Sequence, residues 1–400
     1  MTSCRVIGLL SGTSMDGVDV AVAELRLIDE TIDLLPLGHT EMPFPTALRN
    51  ALLAALPPRE CTAEELCRLD TEVGQAFASA ARGALTGIAG GTADFVASLG
   101  QTLYHWVEGE RALGTLQIGQ PAWIAEATGL PVVADVRARD IAAGGHGAPL
   151  ASVLDRLWLR ELADEDVVAG LNLGGIANIT VVTPDAPARA FDTGPGNALL
   201  DAAARLISNG AWQQDVDGDL AAQGSCREDL LKVLLADPYY AADPPKSTGK
   251  EHFHTGYLRD ALAEVPWVSG PDLLATLVEL TATTVAEACR GHGVTRVVAS
   301  GGGLRNPTLM KALARLLAPT TLMASDELGL PGEAKEAYLT ALIGFLTWSG
   351  IPASVPSATG ARGARLLGSI TPGGTALRLP EPGTTTVARL RLTQPEINRR

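Results

Sequence analysis

Apolar residues fall in short runs separated by glycine-rich turns, with helical spacing between the runs. Cys4–Leu10 (CRVIGLL) is a continuous apolar run and predicts a buried strand. SGTSMDG at Ser11–Gly17 is a turn, and Val18–Leu27 alternates through Val18, Val20 and Val22 as a second strand. Ile32–His39 predicts a third strand. Thr62 and Glu65 form a capping box ahead of an amphipathic helix with Leu66, Leu69, Val73 and Phe77 on one face. Phe95–Leu99 predicts another short strand, followed by GQT.

The second half repeats this grammar. Val167–Leu173 is an apolar strand, Gly174–Gly175 a turn, Ile176–Val182 a strand and Ala188–Phe191 a third. DTGPGN (Asp192–Asn197) then leads into a helix over Asn197–Ile207. Asp272–His292 predicts a long helix, Arg296–Ser300 a strand, and GGGLRNP a turn into a helix over Thr308–Leu317. Two copies of strand, glycine turn, strand, strand and helix imply a duplicated α/β domain with a cleft between the copies. The boundaries fall near 139 and 360: residues 1–139 plus about 360–373 form one domain, and 140–359 the other. Residues 374–400 read as a poorly ordered tail or a late surface strand.

Composition narrows the function. The 400 residues are 46% hydrophobic and 19% charged, which is globular, and the length suits two domains. Lys and Arg number 31 against 45 Asp and Glu, giving a net charge of −14. No basic block exists, so nucleic acid and anionic membranes are not the expected partners. A nucleotide remains admissible, because backbone N–H groups and a metal ion can hold phosphates. Cys4, Cys61, Cys67, Cys226 and Cys289 have neither zinc nor redox spacing and read as reduced thiols of a cytoplasmic protein. The longest apolar stretch, Ala337–Trp348, is too short to span a bilayer.

Several segments carry candidate chemistry. Gly12, Thr13, Ser14, Met15, Asp16, Gly17, Val18 and Asp19 make a tight turn whose N–H groups suit phosphate oxygens, with Asp16 placed to hold magnesium. The same residues also make an ordinary hairpin with a solvent-facing Asp. Gly174 and Gly175, in LNLGGIANIT with Asn178, occupy the equivalent place in the second half, where alone they would read as a plain hairpin. Two such loops facing across a cleft would clamp a triphosphate. Gly301 and Gly302, ahead of Asn306, leave a flat backbone on which an adenine or ribose would lie, or simply a strand-to-helix turn. Asp192 ends a strand before Gly-Pro-Gly, the place of a general base or of a helix cap. Arg137, Arg139 and Asp140 stand beside a glycine-rich loop, where either Arg would bind a carboxylate bidentately or form a structural ion pair. Lys246 and Lys250, in PPKSTGKE, make a cationic loop for phosphate or a solvated loop. His252 and His254 have strand spacing, without the Cys or carboxylates of a convincing metal site. No Walker A, Rossmann fingerprint or G-x-S-x-G elbow occurs.

Taken together, SGTSMDGVD, GQT, LQIG, DVRARDIAAGG with GAPL, NLGGIANIT, FDTGPGN, PPKSTGKE, and GGG with Asn306 resemble the anhydro-N-acetylmuramic acid kinases, in family order from about Gly8 to Pro372. The resemblance implies two actin-like (ribonuclease H-like) domains. It implies a reaction with ATP, Mg2+ and water that opens the 1,6-anhydro ring of a recycled cell-wall amino sugar and phosphorylates its 6-oxygen. It implies Asp192 as the base, Glu336 beside the sugar, and sugar contacts from Gln101, Thr102, Arg139 and Asp140. It admits a homodimer. A kinase for another sugar on the same fold, or a nucleotide-binding regulator, are the alternatives. Leu99 stands where the family usually has His, and His146 where it usually has Gln.

Overall fold

The computed structural model describes residues 3–57, 59–109, 111–244, 246–249, 252–381 and 386–394. Its contacts divide the chain into two units, Met1–Arg160 with Ala334–Arg400, and Glu161–Glu333.

The first unit opens with strands β1 (Cys4–Ser11), β2 (Gly17–Ile28) and β3 (Thr31–Pro43). It continues with β4 (Phe95–Glu108), β5 (Arg111–Ile118) and β6 (Val132–Ala134). In the second unit follow β7 (Val168–Leu173), β8 (Ile176–Val182), β9 (Arg189–Pro195), β10 (Arg296–Ser300) and β11 (Thr321–Ala324). The chain returns to the first unit with β12 (Ser369–Thr371) and β13 (Arg389–Leu392). The order in the first sheet is β12-β6-β4-β1-β2-β3-β13, with β5 paired to β4, and in the second β11-β10-β7-β8-β9.

The sheets share one plan. Strands β1, β2 and β3 run antiparallel in sequence, then β4 joins β1 and β6 joins β4 in parallel. Strands β7, β8 and β9 repeat the antiparallel set, with β10 and β11 added in parallel. Each unit therefore has the strand order and directions of a ribonuclease H-like domain, and the chain carries the actin-like pair that its sequence implies.

Local chemistry explains the elements. The Thr62 hydroxyl accepts from the Glu65 N–H at 3.2 Å, and the Glu65 carboxylate accepts from the Thr62 N–H at 2.9 Å. That box starts the helix Ala63–Gly87, whose Leu69, Val73 and Phe77 enter the core under β1 and β2. The helix Lys335–Trp348 is apolar on nearly every side, so it must be covered all round. It lies against β1 and β4 through glycines. A Cβ on Gly8 would stand 2.1 Å from the Ala337 carbonyl oxygen, and one on Gly344 2.5 Å from the Ala97 Cβ.

That packing explains where the units divide. The sequence predicts breaks near 139 and 360, whereas the chain changes units after Arg160 and after Glu333. The helices Ala151–Trp158 and Lys335–Trp348 pack on each other, so both stay with the first sheet. Strand β13 pairs in parallel with β3, so Arg389–Leu392 form the late strand that is one of the two readings of residues 374–400. Strand β4 runs past GQT to Glu108 and pairs with β5, a ribbon that the short run Phe95–Leu99 does not announce. Among the described residues, no helix is long and apolar enough to cross a membrane, and Cys4, Cys61, Cys67, Cys226 and Cys289 are all unpaired.

Candidate active site

In the first unit, the turn Ser11–Gly17 leaves β1 and enters β2. Met15 adopts φ 53° and closes the turn by donating its N–H to the Gly12 carbonyl at 3.2 Å. Its side chain is only 3% exposed and anchors the turn in the core. Val18 is likewise buried, and a Cβ on Gly17 would stand 2.5 Å from the Met42 carbonyl oxygen, so that glycine serves the close passage of β3. Met15, Gly17 and Val18 therefore have only backbone to offer a phosphate. Thr13, Ser14 and Asp16 face outward, Asp19 is half-buried, and a Cβ on Gly12 would meet only the Ser14 hydroxyl, at 3.7 Å. The Ser14 hydroxyl donates to Asp16 Oδ1 at 2.7 Å. One carboxylate beside hydroxyls suits Mg2+, which binds through one or two carboxylates and keeps water and phosphate oxygens as its other ligands. No group of three or more His, Cys, Asp or Glu gathers among the described residues, so a closed metal cage is not part of this donor set.

Gln101 lies beneath this turn. It is fully buried; its Oε1 accepts from the Ser11 hydroxyl at 2.6 Å, and its amide donates to the Gly12 and Thr102 carbonyls at 3.3 and 3.1 Å. In the structure the Gln101 side chain braces the turn from below, engaged at both ends. Thr102 accepts from the Gln117 side chain at 3.2 Å.

Asp140 is likewise engaged inside the first unit. It is 1% exposed, its Oδ2 accepts from the Gly147 N–H at 2.8 Å, and its Oδ1 from the Thr359 hydroxyl at 3.0 Å. It holds the loop 143–147. Arg139 is exposed, whereas Arg137 is half-buried and donates to the Gly147 carbonyl at 2.7 Å. Burial pushes the Arg137 guanidinium below its ordinary range, and Glu336 opposes the shift. His105 is held below the usual imidazole range by burial and by the charges of Arg137 and His146. Arg137, His105, His146 and Glu336 thus share one field in the first unit. Glu336 lies in the first turn of Lys335–Trp348 and is exposed.

In the second unit, the Gly174–Gly175 turn is tied to the helix Asn197–Ile207. The Gly174 carbonyl accepts from the Asn197 N–H at 2.9 Å, and the Gly175 carbonyl from Gly196 and Ala198, both at 2.9 Å. Gly301 adopts φ 90°, and nothing stands closer than 3.6 Å to a Cβ built on Gly302. Asn306 is the cap of the helix Pro307–Leu317: its Oδ1 accepts from the Leu309 N–H at 2.9 Å. That bond satisfies one of the N–H groups that the helix start leaves open.

Asp192 lies inside β9 rather than at a strand end, since β9 continues to Pro195. Asn178 sits opposite it in the β8–β9 register, so Asn178 neighbours the carboxylate as well as the glycine turn. Asp192 Oδ2 accepts from the Ser247 hydroxyl and the Thr248 N–H, each at 2.9 Å. Its main chain is fixed too, by Tyr239 Oη on its carbonyl at 2.8 Å and by its N–H on the Lys246 carbonyl at 3.1 Å. Burial and the Asp192 charge drive the Tyr239 phenol far above its usual range, so it stays a neutral donor. Lys246 donates to the Tyr239 and Tyr240 carbonyls, each at 3.1 Å, and lies 4.9 Å from the Tyr239 ring centroid. Its ammonium ties down the start of the loop. Lys250 lies outside the described residues. Neither Ser247 nor Tyr239 is announced by spacing in the sequence, because each meets Asp192 across roughly fifty residues of chain.

Comparison with known proteins agrees with these motifs. The family model for anhydro-N-acetylmuramic acid kinase matches residues 4–373. A protein of that name from Streptomyces coelicolor is 57% identical over 94% of this chain and 96% of its own length. One from Rhodococcus erythropolis is 50% identical over 93% of this chain and 95% of its own. Among solved structures, the activator of a 2-hydroxyisocaproyl-CoA dehydratase from Clostridium difficile covers 85% of this chain and 94% of its own at 14% identity with a TM-score of 0.41, too loose a likeness to weigh. With nearly the whole chain matched at such identity, this protein belongs to the anhydro-N-acetylmuramic acid kinase family.

Proposed function

We propose that the protein is an ATP-dependent kinase of 1,6-anhydro-N-acetylmuramic acid that works in the cytoplasm in peptidoglycan recycling. The observation that carries this reading is the Asp192 carboxylate, oriented by two donors on Oδ2 at 2.9 Å. Asp192 takes a proton from a water molecule, and the water oxygen attacks the anomeric carbon. The bond from that carbon to the 6-oxygen breaks, and the freed 6-oxygen attacks the γ-phosphorus of ATP, releasing ADP. The product is N-acetylmuramic acid 6-phosphate. Positioning and charge neutralisation dominate the second step. The backbone N–H groups of the Gly12–Asp19 turn would hold the phosphates, with Asp16 and the neighbouring hydroxyls holding Mg2+. Magnesium, when bound, neutralises charge on the phosphate oxygens. Glu336 would stand beside the sugar.

The test is transfer in oxygen-18 water. Sugar product with one heavy oxygen, and none in the transferred phosphate, is the expected result. Absence of sugar phosphate from this substrate, with ATP still bound, overturns the reading.

Arg137 rather than Arg139 is the residue to pair with the sugar's lactyl carboxylate. Its Nε is buried without a partner among the described residues, and it shares the field of Glu336. Arg137→Met is expected to raise the KM for the sugar about 10- to 100-fold, as loss of a charged hydrogen bond does. Arg139→Met, at an exposed position, should change it by about twofold at most. Steady-state kinetics with the sugar varied at saturating ATP decides between them.

A further inference from the structure

Below Asp192 lies a chain of polar contacts that the reaction as written does not use. Asp237 is its root, with its side chain only 8% exposed. Asp237 Oδ1 accepts from the Tyr239 N–H at 2.9 Å, starting the short turn that carries Tyr239 and Tyr240. Asp237 Oδ2 lies 2.9 Å from His252 Nε2. A carboxylate there orients the imidazole through Nε2. His252 Nδ1 lies 3.5 Å from the Thr248 hydroxyl, and the Thr248 N–H reaches Asp192 Oδ2. The imidazole is also clamped by stacking: its ring is 4.3 Å from the Phe253 ring at an interplanar angle of 6°, with Tyr239 and Tyr257 edge-on to it. A histidine so placed is not a metal ligand in waiting. Its neighbour His254 points elsewhere and caps the helix Thr255–Ala263 by accepting from the Gly256 and Tyr257 N–H groups.

We propose that the loop Lys246–Gly249, docked by Asp237 through His252, is a positioning device for the Asp192 carboxylate. The loop is tied down at its start by the Lys246 ammonium and further along by His252, and it presents two donors to the same oxygen. Two donors on Oδ2 turn the carboxylate plane and leave the direction of the other oxygen set by geometry rather than by solvent. A general base about 1 Å out of place loses on the order of 100-fold in rate, so a loop that fixes one oxygen contributes to turnover and not to affinity. Ser247, Thr248, His252 and Asp237 are positioning residues, acting through Asp192. The proposal rests on the reading of Asp192 as the base.

Four variants test it. Ser247→Ala removes one donor at an exposed position and should lower kcat about 10- to 100-fold, the loss for one hydrogen bond to a charged group, with the KM for ATP unchanged. Ser247→Thr keeps the hydroxyl and should recover most of the rate. His252→Phe keeps the stack but not the link to Asp237, and should lower kcat in the same way. His252→Gln keeps a polar link and should fall between. Thermal unfolding of each variant separates loss of fold from loss of positioning, and if His252→Phe is unfolded the Ser247 pair decides. Asp192→Asn in the same assay distinguishes the two claims. An inactive Asp192→Asn beside a fully active Ser247→Ala overturns the positioning device and leaves the base standing. An active Asp192→Asn removes the base, and the device with it.

Discussion

Asp192→Asn should bind ATP normally and lose transfer to the sugar by about two to four orders of magnitude, the range for removal of a positioned general base. The substitution is close to isosteric. An amide oxygen can still accept from Ser247 and Thr248, so the loop and β9 have no reason to rearrange. The missing property is proton acceptance: an amide does not take a proton from water at neutral pH. Ring opening therefore slows, and the 6-oxygen stays bonded to the anomeric carbon with nothing to offer phosphorus. Two measurements check this. Calorimetric titration should give an ATP affinity within a few-fold of the parent, since the amide keeps the size of the carboxylate and its acceptor for Ser247 and Thr248. Single-turnover transfer should show the rate loss in the chemical step. Turnover within tenfold of the parent would remove Asp192 from the base role.

Much of the framework is legible in the chain because it is local. The strands β1, β2, β7, β8 and β10 lie within two residues of where their apolar runs predict them, and the capping box at Thr62 forms as its spacing requires. Side-chain duties are less legible. Gln101, Asp140 and Asn306 sit in motifs that resemble binding motifs, and in the structure they are buried and bonded to the turn, to the loop 143–147 and to a helix start. A polar residue in a ligand loop either faces the ligand or supports the loop, and sequence spacing is the same for both. Burial is what separates them, and burial depends on partners such as Ser11 and Thr359 that lie ninety or more residues away. Arg137 and Arg139 show the same limit at closer range: two positions apart, one is half-buried and donates to the Gly147 carbonyl while the other is exposed. The division between the units escapes sequence reading for a related reason. The helix Lys335–Trp348 follows the second sheet in sequence but packs on the first through Gly8 and Gly344.

Lys335→Met should destabilise the first unit by about 3–5 kcal/mol, the cost of leaving a buried charge without its partner. The Lys335 ammonium lies 2.6 Å from Asp155 Oδ1, with side chains only 5% and 2% exposed. Neither atom has a hydrogen bond of good angle among the described residues, so the pair is held by charge and by the nearby Trp158 ring, 5.9 Å from the ammonium. Removing the cation strands the Asp155 carboxylate in a site that water does not reach. At about 2–4 °C per kcal/mol for a domain of 150–250 residues, the first unit should melt on the order of 10 °C lower. Replacing both partners by apolar residues, Lys335→Met with Asp155→Leu, should return most of that loss, because neither desolvation cost remains. The pair joins the helix Ala151–Trp158 to the first turn of Lys335–Trp348, the turn that carries Glu336. If stability were its sole contribution, the double variant would be as active as it is stable. If the pair also sets the first turn, the double variant should recover its melting temperature and still show a raised KM for the sugar. Differential scanning calorimetry and sugar-dependent kinetics on the single and double variants read the two contributions separately, and a single variant as stable as the parent would show that the buried charge is compensated elsewhere.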